Sequence, residues 1–399
     1  MSKHLEEEII IWLDVLKNIM KIFLGPFLTA YFIKVSIDSM IDISYYYIFS
    51  YFLLATLTVV IAGITNNKFK IGMFRVGVIL NFLYIMSILI LKEKIVDYLV
   101  FVSILYGISL ATYYFPYNLF LSNKINNKDR TNHTVKAHIL INAVGVITPI
   151  VLGSIISATN FHLTTIIMLF ISLLQIILSF LIKDNMNYDF KEYNLLHAWN
   201  RIKNKKQIKN VLLVEFFIGM NISGALSTLM TIIIFSSFKT DISLGVVNSI
   251  TTIFVILTSK LYGKKYTGKD DKKLLLVCGI MPIITLLLLI LMKSNVTIIL
   301  YNLIYSVFTS IILLSRDIRL FNVTNSNNVN NEDRTEFLVI REFVLDMGRI
   351  VSYLTLLICG IFKSDLVLNI TLVLLTLSIF VTSLYIRKIS KFEYIKETK

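Results

Sequence analysis

The chain is short of charge. Only 16% of its 399 residues are Asp, Glu, Lys or Arg, while 56% are hydrophobic. Soluble globular chains carry about 25% charge, so an ordinary soluble enzyme is excluded. Disorder is excluded too, since it needs low hydrophobicity. Cysteine is nearly absent. Cys278 and Cys359 each lie inside an apolar run, which suits buried thiols rather than a disulfide framework or a zinc site. The five histidines (His4, His133, His138, His162 and His197) give no pair with metal-ligand spacing on one helix. The sequence also lacks G-x-x-x-x-G-K-[ST], H-E-x-x-H and G-x-S-x-G. No nucleotide hydrolysis, metal, cofactor or catalytic residue is therefore expected, and the chain is not expected to be an enzyme.

What is present is long apolar runs. A helix crossing about 30 Å of hydrocarbon needs about 20 residues, and only helices or closed barrels satisfy their backbone there. The runs are continuous rather than alternating, so they read as helices. Twelve spans are expected, at roughly 15–35, 43–63, 72–91, 96–118, 137–157, 163–183, 209–235, 243–262, 274–292, 296–315, 337–361 and 365–386. The first residues, Met1-Ser-Lys-His-Leu-Glu-Glu-Glu, are too acidic for a signal-peptide n-region, so the first run is expected to be retained.

The net charge of +14 has a place in this plan. With both termini inside, the outer loops hold Lys92, Lys94, Lys239, Lys293 and Lys363. The inner segments hold far more: Lys191, Arg201, Lys203, Lys205 and Lys206 in 184–208, then Lys264, Lys265, Lys269, Lys272 and Lys273 in 263–273. The tail adds Arg387, Lys388, Lys391, Lys396 and Lys399. Basic residues mark the cytoplasmic side. Both termini are expected there, in a multi-pass protein of the cytoplasmic membrane. The basic excess then concerns the lipid bilayer and not nucleic acid.

The chain also repeats itself. Asn126-Asn-Lys-Asp-Arg-Thr131 follows span four and Asn330-Asn-Glu-Asp-Arg-Thr335 follows span ten, 204 residues later. Three expected domains follow: an N-terminal six-helix bundle over 1–183, a central cytoplasmic loop with an amphipathic helix over 184–208, and a C-terminal six-helix bundle with a basic tail over 209–399. In the central loop Phe190, Leu195, Leu196 and Trp199 can share one face, as in an interfacial helix.

With this span count, repeat and central loop, the chain resembles the major facilitator superfamily. The family's loop between spans two and three is echoed by Gly63-Ile-Thr-Asn-Asn-Lys-Phe-Lys-Ile-Gly72. It keeps Gly63, Lys68 and Lys70 but has Asn66 where the family has an aspartate. Gly263-Lys-Lys-Tyr-Thr-Gly268-Lys-Asp270 echoes it in the second half, with a displaced acid. Gly145-x3-Pro149-x3-Gly153 on span five is similar to part of the family's antiporter motif, and its spacing allows close packing or bending. Span four lacks the basic residue of drug/proton antiporters. Arg341-Glu-Phe-Val-Leu-Asp-Met-Gly-Arg349 resembles the YQGE-like group of Gram-positive transporters. The resemblance implies an all-α polytopic membrane protein with two six-helix bundles related by an axis along the membrane normal. It implies a secondary transporter that moves a small solute by alternating access, coupled to protons or another ion, acting as a monomer. A second reading is a sensor or accessory subunit with a transporter-like fold, which Asn66 leaves open.

The charges that do not sit in loops lie mostly on span eleven. Glu342, Asp346 and Arg349 fall at i, i+4 and i+7 on one helical face. Arg349 is about 20 Å along the helix from Glu336 at about 1.5 Å per residue, deep enough to need a cavity or a partner. Two readings stand: a cavity lining in which Arg349 holds an anion and an acid takes a proton, or an internal network that neutralises itself. Arg341 is expected to snorkel to the cytoplasmic surface. Glu215 on span seven and Asn142, which lies 204 residues before Asp346, are further candidates for substrate or ion coupling. Arg316 and Asp317 end span ten and are expected to cap or pair locally. Lys17 and Lys34 are expected to snorkel, while Lys21 is a candidate for facing a cavity. Tyr113-Tyr-Phe-Pro-Tyr117 reads as an interfacial belt or, alternatively, as a stacking surface for an organic ligand.

Overall fold

The computed structural model describes residues 3–67, 70–124, 127–182, 193–266, 270–325, 329 and 333–390. Those residues are helical almost throughout, with no strand among them. The elements are α1 (Lys3–Ile22), a π-turn (Phe23–Phe27), α2 (Leu28–Val35), α3 (Ser39–Asn67), α4 (Lys70–Leu91), a 3₁₀ turn (Lys92–Ile95), α5 (Leu99–Lys124), α6 (Asn127–Ala158) and α7 (Phe161–Leu181). They continue with α8 (Leu195–Ile202), α9 (Lys206–Met220), α10 (Ala225–Phe238), α11 (Asp241–Tyr266), α12 (Lys272–Met292), α13 (Asn295–Asn325), α14 (Arg334–Phe362) and α15 (Asp365–Ile386).

Among the described residues, eleven helices are long and apolar enough to cross a membrane. Each corresponds to one of the spans read from the sequence after the first. The first segment is divided by the π-turn at Gly25 and Pro26, where proline supplies no amide hydrogen to the helical ladder. Its leading part, α1, also carries Glu6, Glu7, Glu8, Asp14, Lys17 and Lys21. Span seven differs from expectation as well. It is two helices, α9 and α10, broken at 221–224. The freed backbone is met locally: the Ala225 amide donates to Ser352 Oγ (2.9 Å), and the Ile222 amide donates to Asn221 Oδ1 (2.6 Å).

The helices wear their apolar side outward. On α7 the buried residues are Phe161, Thr164, Thr165, Met168, Ser172, Gln175 and Ser179, while Phe170, Leu173, Leu174, Ile177 and Phe180 are exposed. Small polar side chains face the bundle because their hydroxyls can donate to their own helix. Thr165 Oγ1 does so to the Phe161 carbonyl (2.9 Å) and Ser179 Oγ to that of Ile176 (2.7 Å). Large apolar side chains remain for the lipid.

The chain divides into two compact units, one of Met1–Lys191 with Phe238–Thr252 and one of Glu192–Ser237 with Ile253–Lys399. In unit 1, α1 packs on α6 and α7, and α4 on α5 and α7. In unit 2, α9 packs on α14 and α15, and α12 on α13 and α15. Numbered within each six-span half, the same neighbours meet: first with fifth and sixth, third with fourth and sixth. Lysines close helices in both units. Lys92, Lys239, Lys293 and Lys363 take left-handed backbone, with φ of 49°, 57°, 44° and 46°.

In unit 1, Gly145, Pro149 and Gly153 of α6 lie along the start of α11. The Gly153 Cα approaches the Asp241 carbonyl so closely that a β-carbon there would stand 2.5 Å from it. Lys34 Nζ ion-pairs with Asp241 Oδ2 at 2.6 Å. In unit 2, α8 exposes Leu196 and Trp199 and buries Ala198 and Ile202. It is tied to the start of α14, where Arg201 pairs with Asp333 (2.8 Å) and the Asn194 amide donates to Glu336 Oε1 (3.3 Å). Phe190 lies outside the described residues, as do Lys68, Lys191, Gly268 and Lys269, and the tail from 391 onward.

Candidate functional site

The approach of α9 to α14 positions the charged residues of unit 2. A β-carbon at Gly348 would stand 2.0 Å from the Phe216 carbonyl oxygen, and one at Gly219 would stand 2.1 Å from that of Leu345. Only glycine permits backbones this near. Glu215 lies one turn before Gly219 and Asp346 just before Gly348, so the crossing brings both acids into the same region of the unit.

Three arginines meet four carboxylates there. Arg316 of α13 donates from Nη2 to Glu215 Oε2 (2.7 Å) and from Nη1 to the exposed Asp317 (2.5 Å). Arg349 donates to Asp346 Oδ1 (2.6 Å). Arg341 pairs with its neighbour Glu342. The side chains of Glu215 and Asp346 are 0% and 1% exposed, against 15% and 18% for Arg316 and Arg349. The acids are thus sealed and the guanidiniums are nearly so. Glu215 Oε1 and Asp346 Oδ2 are buried with no hydrogen-bond partner among the described residues. Buried carboxylate oxygens are ordinarily paired, so these two are the exceptions in the network.

The face expected from the sequence is therefore populated, with changes of detail. Arg341 does not snorkel: it is 16% exposed and held by Glu342. Arg316 pairs across helices with Glu215 as well as locally with Asp317. Asn142 is half-buried on α6, in the other unit. Of the loop candidates, Gly63 is half-buried near the end of α3, Asn66 is on α3 and Lys70 opens α4.

A second charged group on unit 2 went unread in the sequence. Arg319 and Asp271 are wholly buried and joined as a fork, Nη2 to Oδ1 at 2.6 Å and Nη1 to Oδ2 at 3.2 Å. Tyr262 and Ser315 donate to the same carboxylate (2.5 and 2.7 Å), and Arg319 Nε donates to the Ile389 carbonyl (3.1 Å). Burial alone would raise the Asp271 carboxyl. The Arg319 guanidinium and the two hydroxyls outweigh it and hold the group below the usual carboxylate range. The signal was an Arg on span ten four residues after Ser315, but its partner is 48 residues away. In unit 1 the tyrosines also depart from expectation. Tyr113 and Tyr117 are buried in the core with Phe74 and Ile10, not set in an interfacial belt. Lys17 lies over Tyr114, Tyr113 and Tyr117 at 4.1, 5.0 and 5.1 Å instead of snorkelling.

Long apolar helices with small polar groups inward and an ion network within the bundle define a polytopic helical membrane protein. The model of the Major Facilitator Superfamily matches residues 18–318, and the chain belongs to that superfamily. It is a multi-pass membrane transporter and not an enzyme, with a small-molecule substrate and the lipid bilayer as its partners. The chain is 27% identical over 368 residues to the uncharacterized protein YqgE of Bacillus subtilis (strain 168), covering 88% of this chain and 82% of that one. Its fold is similar to a bacterial homologue of the iron transporter ferroportin in an inward-facing state (TM-score 0.70, 11% identity, 97% and 99% covered). It is also similar to the human organic anion transporter MFSD10 (TETRAN) (TM-score 0.64, 9% identity, 97% and 100% covered).

Proposed function

We propose that the chain is a secondary active transporter that carries a small solute across the cytoplasmic membrane by alternating access, with proton coupling through the acids of unit 2. Both termini are cytoplasmic, and the bundles 1–183 and 209–399, joined by 184–208, rock against each other as a monomer. Gly63, Asn66, Lys68 and Lys70 form the loop that one conformation closes on, and Gly145, Pro149 and Gly153 give α6 the close packing that such rocking slides along. Glu342, Asp346, Arg349, Glu215 and Asn142 are the coupling and substrate candidates.

The observation that carries the reading is Asp346. Its carboxylate is buried in a span, one oxygen is paired with Arg349, and the other has no partner among the described residues. Protonation of that oxygen releases Arg349, and an anionic group or a second acid can then compete for the guanidinium. The family membership and the inward-facing form of a fold neighbour support alternation.

The test is flux into proteoliposomes under an imposed pH gradient, with a solute panel and a pH-sensitive dye inside. Wild-type protein is expected to accumulate a solute against its gradient. Asp346→Asn is expected to lose that accumulation while keeping exchange of solute across the membrane. Equal gradient-driven accumulation by Asp346→Asn would remove Asp346 from coupling. No flux of any solute, with a stably co-purifying protein, would move the chain to the sensor or accessory reading.

A further inference from the structure

We propose that unit 1 binds a compact carboxylate anion in a cavity between α1, α4, α5 and α7. The inference rests on the transporter reading only in giving that anion a reason to be bound; the site itself is argued from its own residues.

The cavity holds about 40 Å³ and is lined by Lys17 and Lys21 of α1, Asn81 of α4, Tyr113 of α5 and Gln175 of α7, among others. No acid is among the lining residues. Lys17 and Lys21 stand at i and i+4, so their ammoniums share a face and repel. Lys17 is half-buried, its ammonium resting on three tyrosine rings. Those rings hold the cation in place without neutralising it. Of the charged groups acting on Lys17, Asp14 is the one acid and Lys21 the base. An anion set in the cavity meets an ammonium that the rings orient.

Gln175 supplies the independent observation. It is 0% exposed, and neither its amide oxygen nor its amide nitrogen has a hydrogen-bond partner among the described residues. The Tyr113 hydroxyl is also buried and unpartnered. Buried polar groups are ordinarily satisfied, and an unsatisfied carboxamide lining a cavity beside two ammoniums is a donor awaiting an acceptor. A carboxylate answers this set: one oxygen accepts from an ammonium, the other from the amide or the phenol. The size fits a short acid. At about 10–15 Å³ per water, the cavity has room for about three waters, the space of a carboxylate carrying one or two carbons. Lys21, which is exposed, stands at the mouth.

The experiment uses the full chain in nanodiscs, with radiolabelled propionate as the probe and unlabelled acetate, propionamide, inorganic phosphate and propylamine as competitors. Propionate is expected to bind saturably, to be displaced by other short carboxylates, and to be untouched by propionamide or propylamine. Lys17→Met, which keeps the stem over the rings, is expected to weaken binding about tenfold or more. Lys17→Arg should recover part of that, and Gln175→Leu should weaken binding by a smaller factor. If Lys17→Met does not fold, Gln175→Leu and the competitor series decide. Displacement by propionamide equal to that by acetate, or unchanged affinity in Gln175→Leu, would overturn the proposal, and displacement by phosphate alone would assign the site to a different anion. Propionate binding without flux of any solute keeps the site and overturns the transporter reading. Flux of another solute with no propionate bound does the reverse.

Discussion

Where unit 2 holds Asp346 on α14, unit 1 holds Asn142 on α6, 204 residues earlier. Where unit 2 holds Arg349, unit 1 holds Gly145. The two helices have the same neighbours in their own bundles, α9 and α15 beside α14's set, α1 and α7 beside α6's set. One plan thus accommodates two fillings. Unit 2 solves the problem of polar interior with opposed charges, Glu215 with Arg316, Asp346 with Arg349 and Asp271 with Arg319. Unit 1 has the Lys34–Asp241 pair but otherwise leans on phenols and amides, with Lys17 over tyrosine rings and Tyr46 bonded to Tyr84 at 2.5 Å. The lesson concerns cost. A buried pair is held only while both partners are present, whereas a ring and an amide tolerate the loss of one neighbour.

The sharpest way to break that contrast is Arg319→Met. It leaves Asp271 buried and uncompensated, and is expected to cost about 3–5 kcal/mol, read as a lower thermal midpoint in detergent. Asp271→Asn in the same background should recover part of it. The acid limb follows from the sign of the Asp271 shift. Its carboxyl is held low in the folded chain, so the stabilisation is fully present above the ordinary aspartate value of about 4 and fades as pH falls through the lower folded value. A thermal midpoint for Asp271→Asn that parallels wild type at all pH values would sink this account.

Next comes the crossing of α9 and α14. Gly348→Ala is expected to destabilise by about 1–3 kcal/mol because its β-carbon would meet the Phe216 carbonyl at 2.0 Å. Gly145→Ala, on the corresponding helix of unit 1, meets only the Thr252 methyl at 3.4 Å. It should be neutral or slightly stabilising, since alanine is the better helix former by about 0.5–1 kcal/mol. Equal losses from the two substitutions would show that unit 1 is no more tolerant than unit 2. The smallest effect is expected at Lys239, where left-handed backbone costs a lysine about 1 kcal/mol. Lys239→Gly should raise the unfolding midpoint by a degree or two, and a fall would mean that the ammonium outweighs the strain.

The gross plan was legible because its signals are local. Runs of about 20 apolar residues each sit on neighbouring positions. The stripe on span eleven was legible for the same reason, as a period of 3.6 within one helix. What was not legible depends on residues far apart. Arg316 and Glu215 are 101 positions distant, Arg319 and Asp271 are 48, and nothing in either neighbourhood announces its partner. Lys17 looked like a snorkelling lysine because it flanks the first apolar run, yet the rings that hold it come from α5, about 100 residues on. The break at 221–224 hid inside an apolar run, since Asn221-Ile-Ser-Gly224 is too short to interrupt a hydropathy window. Asn221 bridges it by donating to Ser378 and Thr382 of α15 at 3.0 and 3.1 Å.

The left-handed lysines have a further consequence. At Lys92, Lys239, Lys293 and Lys363 the helix stop and the positive charge are one residue, and Lys92 and Lys293 stand 201 positions apart, at matching ends of spans three and nine. A glycine at such a stop would leave the helix free to slip a residue deeper or shallower. A lysine makes any inward slip drag an ammonium into hydrocarbon. Each of these residues therefore ties the end of its helix to a depth at which its charge stays out of hydrocarbon.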